Sequence, residues 1–135
     1  MRVRAALLVA LALAALAGCG TPGADLMTVS RSGSIPGANL EMRVIDDGQV
    51  VCNGTTHDIT SDDLIRAREI VRDLSEHAKK AVDLAPGHPT ILRFRITTVD
   101  GTVMFSDTSK GQPQVFYKAA QLVRVIAKGD CGLPR

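Results

Sequence analysis

The feature that most constrains this chain stands at its start. Residues 5–17 are thirteen consecutive Ala, Leu and Val residues, preceded by Arg2 and Arg4. A helix that spans a bilayer needs about 20 apolar residues to cross about 30 Å of hydrocarbon. Thirteen are too few. The order of zones, basic then apolar then small, is that of an export signal. A buried core helix is the alternative, but it would present no polar face over the whole run while standing at an extreme terminus. The run therefore predicts an exported chain whose fold begins after it.

The run closes on Leu16-Ala17-Gly18-Cys19. This tetrapeptide resembles the lipobox of bacterial lipoproteins: Leu, a small residue, Gly or Ala, then Cys. The resemblance implies a diacylglyceryl group on the Cys19 thiol and cleavage just before it. Residues 1–18 are then a signal peptide, 19–25 a lipidated cysteine with a short tether, and 26–135 a single domain. It implies a membrane partner reached through the lipid, at the outer face of the cytoplasmic membrane. One short acyl chain holds a protein weakly at about 0.8 kcal/mol per buried CH₂, whereas two or three hold it durably. The tether spans only about 20 Å when extended, which keeps the domain near the bilayer.

Cleavage changes the charge. The whole chain carries 16 Lys plus Arg against 14 Asp plus Glu, and Arg2 and Arg4 leave with the signal, so the remainder is neutral. A neutral domain argues against nucleic acid as a partner, which calls for clustered basic charge. Of three cysteines, Cys52 and Cys131 remain once Cys19 is acylated. In an oxidising compartment they are expected to form one disulfide, the alternative being two free thiols. Closing a loop of that length stabilises by roughly 4–5 kcal/mol in the chain-entropy model.

Hydrophobic periodicity predicts the elements. Strands are expected at 26–31, 40–45, 49–53, 91–99 and 102–106, with Asp47-Gly48 and Asp100-Gly101 as hairpin turns. Leu64, Ala67, Val71, Leu74, Ala78 and Ala81 make one helical stripe behind a Thr60 or Ser61 cap, with Ala85-Pro86-Gly87 as its stop. Arg72 with Glu76 and Glu76 with Lys80 are spaced to pair across single turns. A last helix is expected with Pro113 in its first turn, Phe116, Ala119, Leu122, Val123 and Ile126 buried, and Gly129 as its C-cap. The fold class is α+β: an antiparallel sheet of about four to five strands with two helices packed on one face.

Candidate chemistry is sparse. His57, His77 and His88 have no spacing that joins two on one helical face, and there is no HExxH, so no metal site and no cofactor is expected. His57 and His88 read as loop residues. Asp46-Asp47 and Asp62-Asp63 are accounted for by a turn and a helix cap. No serine lies in a Gly-x-Ser-x-Gly elbow. The chain is therefore expected not to be an enzyme. Arg43, Arg93 and Arg95 share the outward strand phase and could form a small basic patch for lipid phosphates or an acidic partner. The simpler reading, which we favour, is a solvated sheet face partly neutralised by Glu41.

The stretch Met27-Thr28-Val29-Ser30-Arg31 followed by Ser32, Gly33, Ser34, Ile35, Pro36 and Gly37 resembles the opening of emfourin-like proteins, small bacterial inhibitors of thermolysin-type metalloproteases. The resemblance covers the order of elements over most of the mature chain and few residue identities. The chain departs from the family in Ser34, Pro36 and the expected disulfide. It implies that the loop 32–37 enters a protease cleft. Two expectations result: a membrane-anchored, non-enzymatic binding or accessory module with an unidentified protein partner, or an inhibitor of a secreted metalloprotease.

Overall fold

The computed structural model describes residues 23–134. The expected signal peptide and Cys19 lie outside the described residues. Six strands and two helices occur in the order β1 (Asp25–Gly33), β2 (Leu40–Ile45), β3 (Gln49–Cys52), β4 (Thr55–Asp58), α1 (Ser61–Lys79), β5 (Leu92–Thr98), β6 (Gly101–Ser106) and α2 (Gln114–Gly129). The strands form one antiparallel sheet in the order β4-β3-β2-β1-β5-β6. The first strand is therefore central. A meander extends from one side of it and a hairpin from the other. The α+β class holds, with one strand more than expected.

The additional strand is β4. Asn53 and Gly54 both take positive φ, 47° and 84°, which is the turn that the twist of a tight hairpin favours. That turn folds Thr55–Asp58 back onto β3 and places His57 on a strand rather than in a loop.

Strand alternation sorts the side chains. Met27 and Val29, Leu40, Met42 and Val44, Phe94 and Ile96, and Val103 and Phe105 are all buried on the helix side of the sheet. Helix α1 meets them with Ala67, Ile70, Leu74 and Ala78. Helix α2 contributes every residue of its expected face and also Ala127. The core centres on an aromatic stack: Phe94 to Phe105 at 5.1 Å, Phe105 to Phe116 at 4.7 Å, with His77 edge-on to Phe116 at 5.4 Å. Each such pair contributes about 0.5–1.5 kcal/mol beyond its buried area.

Several ends differ from expectation. Thr60 caps α1, its hydroxyl accepting from the Asp63 amide at 3.3 Å. The helix stops at Lys79, well before Ala85, because Ala81 enters the left-handed region at φ 49° and the Ala81 and Val82 amides close onto Ala78 and His77 carbonyls. Ala81 is thus exposed and outside the stripe. Glu76 pairs with Lys79 at 3.1 Å, and Arg72 with its neighbour Asp73 at 3.4 Å, in place of the expected pairs. Pro113 is the N-cap of α2, outside the first turn, and Gly129 is its last helical residue. The left-handed position falls at Gly132, φ 65°.

Helix α1 ends early enough to free residues 82–84 as a strap. The Met104 amide donates to the Val82 carbonyl and the Leu84 amide to the Met104 carbonyl, both at 2.9 Å, covering the β6 edge. The Cys52 and Cys131 sulfurs lie at bonding distance with Cα atoms 6.2 Å apart, joining the first meander to the end of α2. At the N-terminal end of β1, the Asp46 amide donates to the Ala24 carbonyl at 2.9 Å. Residues 24 and 25, which fall within the expected tether 19–25, are therefore paired with the domain.

Candidate functional site

The two ends of β1 differ in character. Its first residues lie beside the turns 46–48 and 99–100, since Asp25 faces Ile45 and Thr28 faces Thr97. Its last residues, opposite Leu40 and Leu92, lead into the loop 34–39. Nine strand residues separate these ends, roughly 27–30 Å of extended backbone at about 3.3 Å per residue. We refer to the second as the distal end.

The distal loop is a tight turn built by its own sequence. The Ala38 amide donates to the Ile35 carbonyl at 3.1 Å, with Pro36 and Gly37 between them and Gly37 at φ 75°. Proline pre-sets the first of these positions and glycine alone takes the second without strain. The loop is then fastened from below. Met27, Val29 and Arg31 share one strand phase, so Arg31 falls on the helix side and is only 3% exposed. Its Nε donates to the Ala38 carbonyl at 2.8 Å and its Nη2 to the Gly37 carbonyl at 3.1 Å. The Ser34 amide donates to the Ile91 carbonyl at 3.1 Å. Ser32, Gly33, Ser34, Pro36 and Gly37 remain exposed, while Ile35 is half-buried. This is an exposed backbone segment held in one shape.

A groove of about 650 Å³ runs beside this loop, between α2 and the start of β5. Leu92, Phe94, Ile35 and Ala120 supply apolar surface, and Arg124 and Lys128 stand on its α2 rim. Its volume is that of a small-molecule site, about 300–1,000 Å³. Asp107 also lines it, with its carboxylate accepting from the Ile91 amide at 3.2 and 3.3 Å. The neighbouring loops are locked by hydroxyls. Ser109 Oγ donates to the Ala85 carbonyl and accepts from the Ser106 amide, both at 2.9 Å. Ser106 Oγ in turn accepts from the Thr108 amide at 3.2 Å and lies 3.1 Å from Ser109 Oγ.

The three outward arginines are not one patch. All lie on the helix-free face, but β1 separates them: Thr28 faces Arg43, whereas Ser30 and Ser32 face Arg95 and Arg93. Arg43 pairs with Asp25 at 3.7 Å, and Glu41 accepts from the Ser30 hydroxyl at 2.6 Å. Arg93 and Arg95 flank a small hollow of about 120 Å³ with those serines. Among the described residues they make no ion pair within the chain.

Among the described residues no three His, Cys, Asp or Glu side chains are grouped to hold a metal ion. No helix there is long and apolar enough to cross a membrane. The acidic pairs do structural work. Asp46 binds Arg68 at 2.7 Å, and Asp47 accepts from the Gln49 amide at 3.1 Å. Asp63 lies 3.8 Å from Arg66.

Sequence reading missed the groove as a unit. One signal was available: the alternation 27, 29, 31 puts a cation on the apolar phase, which marks a buried, bonded arginine. Arg124 and Lys128, one turn apart on α2, were a second. What the fold and site define is a six-stranded antiparallel sheet, helix-covered on one face, with a rigid turn and an apolar groove at one end. No family model, curated protein or solved structure matches the chain.

Proposed function

We propose that this chain is a bacterial lipoprotein, acylated on Cys19 at the outer face of the cytoplasmic membrane. It works there as a non-enzymatic binding module with a protein partner. The observation that carries this reading is the polarity of β1. The chain enters the domain at one end of the strand, and the fastened loop 34–38 and the groove lie at the other. A domain held by its N-terminus would thus turn its most rigid exposed feature away from the bilayer. The apolar run 5–17 and Leu16-Ala17-Gly18-Cys19 support the anchor. Mass spectrometry of the native protein is expected to find an acylated Cys19 as the first residue, and Cys19→Ala to release the protein or leave it uncut. A mature N-terminus elsewhere without acyl mass refutes the anchor. A photo-crosslinker at Pro36 is expected to capture a partner in membranes, and one at Val99, on the opposite end, is not.

The second reading, inhibition of a thermolysin-type metalloprotease, is favoured by one specific feature. The exposed turn has two successive carbonyls pinned by a buried arginine, the pre-organisation that lowers the ordering cost of entering a cleft. Titration of such a protease against the protein decides it: undiminished peptide hydrolysis at excess protein rules inhibition out.

A further inference from the structure

We propose that the distal groove binds an anionic amphiphile, its alkyl chain on the apolar floor and its head between Arg124 and Lys128. This rests on reading the domain as a binding module and adds the chemistry of what the groove holds.

The floor comes first. Leu92 and Ala120 are only partly buried although they pack against the core, Ile35 beside them is half-buried, and Phe94 also lines the groove. Apolar surface left open to water in a groove is unsatisfied, and an alkyl chain covers it with a gain proportional to the area removed from water. The rim gives direction. Arg124 and Lys128 are four residues apart on α2, about 6 Å along the axis, and so share one side. Both are exposed, and among the described residues neither makes an ion pair. Lys128 lies in the last turn of α2 and complements the helix dipole. Arg124 lies further in and has no such role. Among the described residues the one carboxylate in the lining is Asp107, which is engaged by the Ile91 amide.

A single head carrying negative charge, carboxylate or phosphate, can accept from guanidinium and ammonium together while its chain runs toward Leu92 and Phe94. A neutral lipid would use the floor alone. A cationic one would face the like charges of Arg124 and Lys128, with Arg31 also in the lining. The walls are stiff, since the loop above Ile35 is held by Arg31 and the Asp107 loop by the serine network. The cavity is therefore pre-formed.

The test uses the full protein in nanodiscs of zwitterionic lipid, with empty nanodiscs subtracted, and calorimetry with octyl phosphate, octanoate, octanol and octyltrimethylammonium. Octyl phosphate or octanoate is expected to bind about tenfold or more tightly than octanol, the worth of one charge-assisted contact. The ammonium is expected to bind more weakly than octanol. Preference for phosphate points to a phospholipid source and preference for carboxylate to a fatty acid, and both support the site. Arg124→Gln with Lys128→Gln, both surface changes, is expected to weaken the anions about tenfold and leave octanol unchanged. Ala120→Gln is expected to weaken all chains, with circular dichroism confirming the fold. Equal binding of octanol and the anions, indifference to the double variant, or no binding at all overturns the proposal. These results are independent of acyl mass on Cys19 and of crosslinking at Pro36, so either reading can fail alone.

Discussion

Arg31 and Ala38 are joined by a hydrogen bond of 2.8 Å from a buried guanidinium to a loop carbonyl. The chain between donor and acceptor includes the whole turn, so this contact sets the loop's shape relative to the sheet. Removing it leaves the Gly37 and Ala38 carbonyls without those donors. Arg31→Met is expected to lower stability by about 1–3 kcal/mol and to speed cleavage within 34–38 in limited proteolysis. Unchanged cleavage would mean that the Pro36-Gly37 turn holds by itself.

The Cys52 to Cys131 pair closes 79 residues. Replacing both by Ser is expected to cost about 2–5 kcal/mol, read from denaturant midpoints. Non-reducing peptide mapping of the wild type should recover one linked peptide pair. Recovery of two free thiols contradicts the pairing.

Asp130 gives a pH dependence with a definite sign. Burial pushes its carboxyl above the ordinary value of 3.8; the Thr60 amide donating to Oδ1 opposes this, and nearby Asp63 reinforces it. Its other oxygen is buried without a partner. The folded state therefore keeps this proton to higher pH than the unfolded chain does. Its stabilising effect is complete below about 3.8 and is lost as pH rises through the raised value. Asp130→Asn keeps an acceptor for the Thr60 amide and cannot ionise. It is expected to melt at the same or slightly higher temperature at pH 7 and to lose this part of the pH slope. A clear destabilisation at pH 7 would show that the charge itself is needed there.

The outward arginines should contribute little to folding. Among the described residues Arg43 has only the exposed Asp25 as an ion-pair partner, and exposed pairs are worth about 0–1 kcal/mol. Joint replacement of Arg43, Arg93 and Arg95 by Gln is expected to shift stability by less than about 1 kcal/mol in thermal melts. A larger loss would mean that the serine-lined hollow between Arg93 and Arg95 is structurally important.

Much of this fold is written locally. The alternation in β2 and β5 fixed which side chains enter the core, because a strand's period of two leaves no other choice once one face is covered. Thr60 and the aspartates after it announced the start of α1, and Phe116 to Ile126 the buried face of α2. Where local signals competed, reading the sequence failed. The expected strand 49–53 runs through Asn53, which instead opens the hairpin turn into β4. Ala81, an ordinary helix former, ends α1 in a left-handed conformation because residues 82–84 bond to β6 instead.

By itself the sequence determined the apolar run 5–17 with Cys19 close behind it, the balance of charges from Gly20 onward, the class of fold and most core residues, since each depends on composition or on a short repeat. Tertiary structure alone decided that β1 is central, that Arg31 bonds beneath a turn six residues later, and that Arg43 stands apart from Arg93 and Arg95. It alone brought Leu92 and Phe94 opposite Arg124 and Lys128. The reason is that strand order and helix placement are set by pairing and packing between segments tens of residues apart. No local period records which of those segments will meet.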